Sequence, residues 1–263
     1  MPVIQLPMST VPSWDLGTVA KSPLQALNKE YWQGMRGYWS ASASGSEGVF
    51  DISPTKNHAV NSGMVWGGSR FGRVITGTNN GTQHMPLLGI TTLSSTPCTI
   101  WAHKQLDANN SYVMCEDGLT SYGLQLDTTG LAIRASAHLE ALPAAIGTDW
   151  VQILIAVDAS GFVTYYKNGV IIGADAGMTG TFNVQNLISA PVGDYAISGK
   201  FRACGIWNFK FTDEMIDSLN GDPYAVERKE EYITVRGTGG ASSGSRVGGP
   251  MARPFAGPFG GPL

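Results

Sequence analysis

The chain has 263 residues, long enough for one large β domain or two small ones. Its 17 Lys and Arg against 20 Asp and Glu leave a formal net charge of −3, and charged residues make up only 14% of the whole. No basic stripe marks a nucleic-acid binder, and no run approaches the roughly 18 apolar residues that a membrane-spanning helix needs.

Residues 1–35 read as an N-terminal arm. Pro2, Pro7 and Pro12 favour extended chain, and Ser22 before Pro23 predicts a short helix over Leu24 to Lys29. Trp14, Tyr31 and Trp32 fit two roles equally, docking on the protein's own body or on another subunit. The opening Met1-Pro-Val-Ile-Gln-Leu-Pro7 has no basic region before an apolar run, which argues against a secretory signal. Tyr38-Trp39 then opens the main domain. Short β-rich runs alternate with glycine turns through Val49–Ile52, Met64–Gly68 and Phe71–Ile75. Pro97–Lys104 predicts a strand, the polar Asp107–Ser111 a turn, and Tyr122–Asp127 with Leu131–Ala135 an antiparallel meander.

Trp150 to Gly173 is the most informative stretch. The run Trp150–Asp158 carries Val151, Ile153, Ile155 and Val157 on one face and Leu154 and Ala156 on the other, as a strand buried between two layers would. Gly161 closes one turn, and Asn168-Gly169 supplies the two positive-φ positions of a type I′ hairpin. Gly199–Asn208 predicts another strand. Thr212 caps a helix with Asp213 and Glu214 at its positive end and Met215, Ile216 and Leu219 on its apolar face; Asn220-Gly221 predicts its stop, with Pro223 beyond. Residues 225–236 read as a connector. Residues 237–263 form a Gly/Pro/Phe-rich C-terminal arm, in which Met251, Phe255, Phe259 and Leu263 suit docking beads that order on a partner.

Paired catalytic groups are not evident. Glu116 and Asp117 are adjacent, so a strand would point them to opposite faces. Asp213 and Glu214 fit helix capping, and Glu230 and Glu231 pair naturally with Arg228 and Lys229. His58, His84, His103 and His138 are scattered and suit surface or core positions rather than a metal site. Cys98, Cys115 and Cys204 are an odd, widely spaced set that reads as small buried hydrophobes. No cofactor is expected. Asp107, Asn109 and Asn110 offer oxygens for calcium, but an Asx turn explains the same residues without an ion.

Several short motifs occur in a telling order: Tyr38-Trp39, the Asp51-Ile52-Ser53 turn with Asn57, Trp66-Gly67-Gly68, Thr99-Ile100-Trp101-Ala102, Trp150 to Asp158, Tyr165 to Gly169, and Arg202 to Asn208 before Thr212-Asp-Glu214. In this order the chain resembles the laminin-G-like, concanavalin-A-like lectin/glucanase domain over residues 36–224. The resemblance implies an all-β fold, a two-sheet antiparallel jelly-roll sandwich with one short C-terminal helix, flanked here by extended arms. The Glu-x-Asp-x-Glu strand of the superfamily's glucanases is missing, so no hydrolase activity is expected.

The two long arms, the low charge and the reduced cysteines suit a subunit of a larger particle, and the resemblance to laminin-G-like domains of tailed bacteriophages implies a structural virion protein. It would be a capsid-decoration, head-fibre or tail-associated subunit of a tailed bacteriophage, assembled in the host cytoplasm as a homo-oligomer. Its contacts with other virion proteins would run through Trp14, Trp32, Met251, Phe255, Phe259 and Leu263. The alternative is a carbohydrate-binding adhesion module for host-surface glycan, with Tyr112, Tyr122 and Trp207 stacking on sugars.

Overall fold

A computed structural model describes residues 20, 26–43, 48–77, 83, 85–94, 96–106, 111–115, 123–126, 131–135, 138–142, 146–175, 177–178, 181–187 and 199–229. Strands β1 to β6 are Met35–Ser40, Gly48–Asp51, Ala59–Val60, Val65–Ser69, Gly72–Gly77 and Met85–Ser94. Strands β7 to β11 are Cys98–Leu106, Ser111–Cys115, Gly123–Leu126, Leu131–Ala135 and His138–Leu142. Strands β12 to β16 are Trp150–Val157, Val163–Lys167, Val170–Asp175, Thr181–Leu187 and Gly199–Trp207, and helix α1 is Asp213–Gly221.

All the pairings are antiparallel. One sheet runs β14-β13-β12-β7-β16-β1, with β5 replacing β1 against the start of β16 and β4 outside β5. The other runs β11-β10-β9-β8-β15-β6. The short strands β2 and β3 turn the corner between them, β2 pairing with β1 and β3 with β6. The fold is therefore the expected sandwich.

The corner is wound around one buried carboxylate. Asp51 accepts from the Tyr38 and Ser53 N–H groups through Oδ1 (3.0 and 2.9 Å) and from Thr55 Oγ1 and the Asn57 N–H through Oδ2 (2.8 Å each). The Asn57 side chain then exchanges hydrogen bonds with both backbone groups of Gly89 and donates to Thr91 Oγ1, all at 2.8 Å. One Asx-centred loop thus ties the two sheets together.

Two apolar cores result. Between the sheets lie Trp39, Val49, Ile100, Ala102, Val151, Ile153, Ile155, Phe201 and Ile206, facing Met85, Val113, Met114, Val184 and Leu187. Cys98 and Cys204 are buried here as expected, and burial pushes the Cys98 thiol up to about 12. The second core lies on the outer face of the first sheet. Tyr38, Trp101, Leu154, Ala156 and Trp207 are covered there by Tyr31 and Trp32, by Phe211, by Ile216 and Leu219 of α1, and by Ala225 and Val226. This third layer explains why β12 is apolar on both faces.

Three expectations are corrected by that layer. Trp32 is 4% exposed and its indole N–H donates to the Val226 carbonyl at 3.2 Å, so it completes this body and is closed to another subunit. The helix expected over Leu24–Lys29 is absent at Ala26, which bridges Lys229; the Leu27 N–H goes to the Arg228 carbonyl, and a 3-10 turn forms later, over Lys29–Trp32. Long-range pairing overrides the local cap signal. Residues 225–229 are likewise part of the body rather than a connector, and the compact unit closes at Lys229. Arg228 pairs with Asp222, six residues back, while Glu230 and Glu231 lie outside the described residues.

The hairpin-turn and helix-cap signals hold. Asn168 and Gly169 have φ of 50° and 77° at the β13–β14 turn. Thr212 Oγ1 accepts from the Met215 N–H at 3.3 Å at the start of α1. The helix runs through Gly221 rather than stopping before it. Asp222 is forced extended by Pro223, and that ends the helix.

Candidate functional site

Trp207, offered above as a sugar-stacking residue, is closed to ligand. It is 0% exposed, and its indole N–H donates to the Tyr31 carbonyl at 2.6 Å. Tyr112 falls on β8 with only its own backbone described; Tyr122 lies outside the described residues. Trp14, Met251, Phe255, Phe259 and Leu263, and the calcium candidates Asp107, Asn109 and Asn110, also lie outside them.

A different constellation emerges from strand register. Trp150 pairs with Gln105, Gln105 with Lys200, and Lys200 with Thr76. Directly paired residues share a sheet face, so these four side chains form one row across β12, β7, β16 and β5. The face is the outer one, because Gln105 alternates with His103 and Trp101, and Trp101 belongs to the second core. All four residues are half-buried, beyond the cover given by α1 and the terminal segments.

The β4–β5 hairpin borders the row. Phe71 at its tip meets Trp150 edge-to-face with ring centroids 5.1 Å apart, and meets His103 at 4.6 Å. His103 also contacts Trp150 at 5.0 Å. The exposed Arg70 guanidinium lies 4.8 Å from the centre of the Phe71 ring. The tip is pinned from two sides. The Phe71 N–H donates to Ser69 Oγ at 3.1 Å, and the Tyr224 hydroxyl donates to the Phe71 carbonyl.

Tyr224 is held in turn by a buried cluster. Arg202 lies over its ring at 3.9 Å, donates to the Pro223 carbonyl at 2.8 Å, and pairs with Glu227 Oε1 at 2.8 Å. The Tyr38 hydroxyl donates to the same oxygen at 2.9 Å. Burial lowers the Arg202 guanidinium's affinity for its proton, but the Glu227 carboxylate, with help from Tyr38 and Tyr224, more than reverses this and holds it above its ordinary range. Burial, reinforced by Glu227, keeps the Tyr38 phenol protonated well above its ordinary range.

His103 is 2% exposed, and its Nδ1 has no hydrogen-bond partner. Burial pushes its imidazole well below the usual histidine range, and the positive charges of Arg202 and Arg70 add to the effect. It is a neutral aromatic floor at pH 7. The site thus offers two half-exposed rings, an amide, a hydroxyl and two cations on a rigid base. That set can stack on an apolar ring face while hydrogen-bonding its edges. It is poorly equipped for acid–base chemistry. The two buried carboxylates among the described residues, Asp51 and Glu227, are both engaged in the structural clusters described above. No group of three His, Cys, Asp or Glu side chains among the described residues could hold a metal ion.

Sequence reasoning missed Arg70, Phe71, Gln105 and Lys200 as site residues, and placed Trp150 only as the start of a strand. Alternation within β7 and β12 gives the face of each residue, but the row exists only through the pairing register. A second exposed surface, with Phe50, Val60, Leu88 and Ile90 on the outer side of the corner, is largely apolar. The nearby Asn57 amide is already engaged with Gly89 and Thr91.

No family model and no curated protein matches this chain. Solved structures do. The binding domain of Paraclostridial Mosquitocidal Protein 1 is similar with a TM-score of 0.55 and 12% identity, over 73% of this chain and 53% of that one. Domain 4 of AbnA, an extracellular GH43 arabinanase from Geobacillus stearothermophilus solved in complex with arabinotriose, is similar with a TM-score of 0.53 and 14% identity, over 71% of this chain and 98% of that one. A structure of botulinum neurotoxin type C, whose cell entry depends on interaction with two ganglioside molecules, gives a TM-score of 0.52 and 11% identity over 73% of this chain and 52% of that one. The chain therefore spans about half the length of the two toxin structures and nearly all of the arabinanase domain. At these identities the likeness is one of fold: an all-β sandwich shared with binding domains.

Proposed function

We propose that this protein is a non-enzymatic carbohydrate-binding module whose ligand lies along the row from Trp150 to Thr76. The observation that carries the proposal is the half-exposed Trp150, braced by Phe71 and His103 and followed on the same face by Gln105 and Lys200. Sugars are held by this combination, a ring for the C–H face and polar groups for the hydroxyls. Two similar structures named above are described with arabinotriose or gangliosides, which supports the same reading.

The test is a glycan array probed with the full-length protein and with Trp150→Ala. The fragment 36–224 would be a poor probe, because it lacks Tyr31, Trp32, Ala225 and Val226 of the second core. The expected result is a reproducible set of glycans that Trp150→Ala loses while its melting temperature stays close to that of the parent. No binding, or binding that survives loss of the indole, would overturn the proposal.

The virion role rests on the arms, and of their six residues Trp32 is now assigned to the protein's own core. Its test is deletion of Gly237–Leu263, which on that reading leaves the sandwich folded and abolishes incorporation into particles. An adhesion module carried on a particle satisfies both readings.

A further inference from the structure

We infer that the ligand of this row is an acidic glycan, a sugar bearing a carboxylate or a sulfate, and that Lys200 and Arg70 are the residues that select it. The inference rests on the glycan reading above and adds the charge of the sugar. Its basis is an imbalance of charge at the site. The protein as a whole carries a formal charge of −3, yet the row and its border present Lys200 and Arg70, with Arg202 in the layer beneath.

These cations differ in what already occupies them. Arg202 is neutralised by Glu227 at 2.8 Å. A second ion pair among the described residues joins Arg228 to Asp222. Lys200 and Arg70 form none, and Asp149, the acid next to Trp150 in sequence, is exposed and paired with neither. The field reaches the floor of the site, since Arg202 and Arg70 both push the His103 imidazole toward its neutral form and no acid pulls it back. Two unpaired cations beside a stacking ring would gain nothing from a neutral sugar. An anionic group gives them charge-assisted hydrogen bonds, stronger than neutral ones.

The geometry assigns separate tasks. The Arg70 guanidinium lies 4.8 Å from the centre of the Phe71 ring, a contact that leaves N–H donors for a planar carboxylate or a sulfate. Lys200 sits two strands from Trp150, with Gln105 between them. Neighbouring strands lie about 4.8 Å apart, so the backbone positions of Lys200 and Trp150 are separated by roughly 10 Å, the span of about two sugar units. An acidic residue next to the stacked one satisfies both ends of the row.

The experiment is an array of matched neutral, sialylated, uronate-containing and sulfated glycans, followed by titration of the best acidic hit and its neutral counterpart. The proteins are the full chain, Lys200→Gln, Arg70→Gln and Trp150→Ala, each checked for an unchanged melting temperature. Lys200→Gln keeps the stem and removes only the charge. The expected result is binding confined to acidic glycans and weakened by about tenfold or more in Lys200→Gln, the usual effect of losing one charge-assisted contact. Affinity should also fall as salt rises. The sialylated and uronate arms against the sulfated arm identify which anion is preferred. Equal binding of neutral and acidic partners, lost in Trp150→Ala but unchanged in Lys200→Gln and Arg70→Gln, overturns the acidic assignment and leaves the glycan module standing. Absence of any indole-dependent glycan binding overturns both.

Discussion

Glu227→Ala is the sharpest test of whether the C-terminal segment belongs to the body. In the folded protein the Arg202 and Glu227 side chains are 0% and 3% exposed and bonded at 2.8 Å. Removing the carboxylate leaves a guanidinium in the second core without its counter-charge, and strands the Tyr38 hydroxyl that donated to the same oxygen. Breaking one side of a buried pair costs about 3–5 kcal/mol, a large share of the 5–15 kcal/mol that holds a domain folded. Tyr38→Phe, which removes one donor from Glu227, should cost less, about 1–3 kcal/mol. The double replacement Arg202→Met with Glu227→Met removes both charges together and should recover most of the loss, because burying an ion pair is itself expensive. The assay is urea unfolding followed by tryptophan fluorescence, since Trp32, Trp101 and Trp207 all report on the second core. Destabilisation by Glu227→Ala of less than about 1 kcal/mol, the range of an exposed pair, would refute the reasoning.

Two further outcomes follow from buried polar groups. Burial, then Arg202 and Arg70, depress the His103 imidazole, so below about pH 6.5 the unfolded chain takes up a proton that the folded one refuses. Stability is full above that pH and falls on acidification toward the folded value, by up to about 1.4 kcal/mol per pH unit; His103→Phe should lose this slope between pH 7 and 5, and an unchanged slope would contradict the assignment. Asp51→Asn replaces an oxygen that accepts from two groups with an amide that donates, orphaning one or two buried donors at the corner. It should lower stability by about 2–4 kcal/mol at constant m-value in urea, and a neutral effect would show that the loop does not depend on the carboxylate.

How far the chain could be read depended on the distance over which its information acts. Signals carried by neighbours in sequence survived folding: the positive-φ pair Asn168-Gly169, the Thr212 cap and the two-faced β12. The cap signal at Ser22-Pro23 did not survive at Ala26, because pairing with residues 227–229 offered the backbone a better set of partners. Nothing near Arg202 in sequence announces Glu227, and nothing near Trp32 announces Val226. Trp207 shows the same limit at a proposed site residue. An aromatic at the end of a strand looks available for stacking until a distant segment, here Tyr31, is laid across it.

The position of the row follows from where that covering layer ends. Along one face of β12 the alternate residues are Ala156, Leu154, Gln152 and Trp150. Ala156 and Leu154 are 0% and 4% exposed beneath the third layer. Gln152 is at its margin, 9% exposed, bonding the Trp101 indole with its oxygen and the Asn220 carbonyl at the end of α1 with its amide. Trp150 lies beyond the margin and is half-open. A single strand face therefore passes from core to surface by way of one hydrogen-bonded amide, and the largest aromatic falls on the open side. A tryptophan needed only for packing would be better placed at 154, under the helix. Its place at 150, with Gln105 and Lys200 continuing the row in the open, fits the ligand-binding face proposed above.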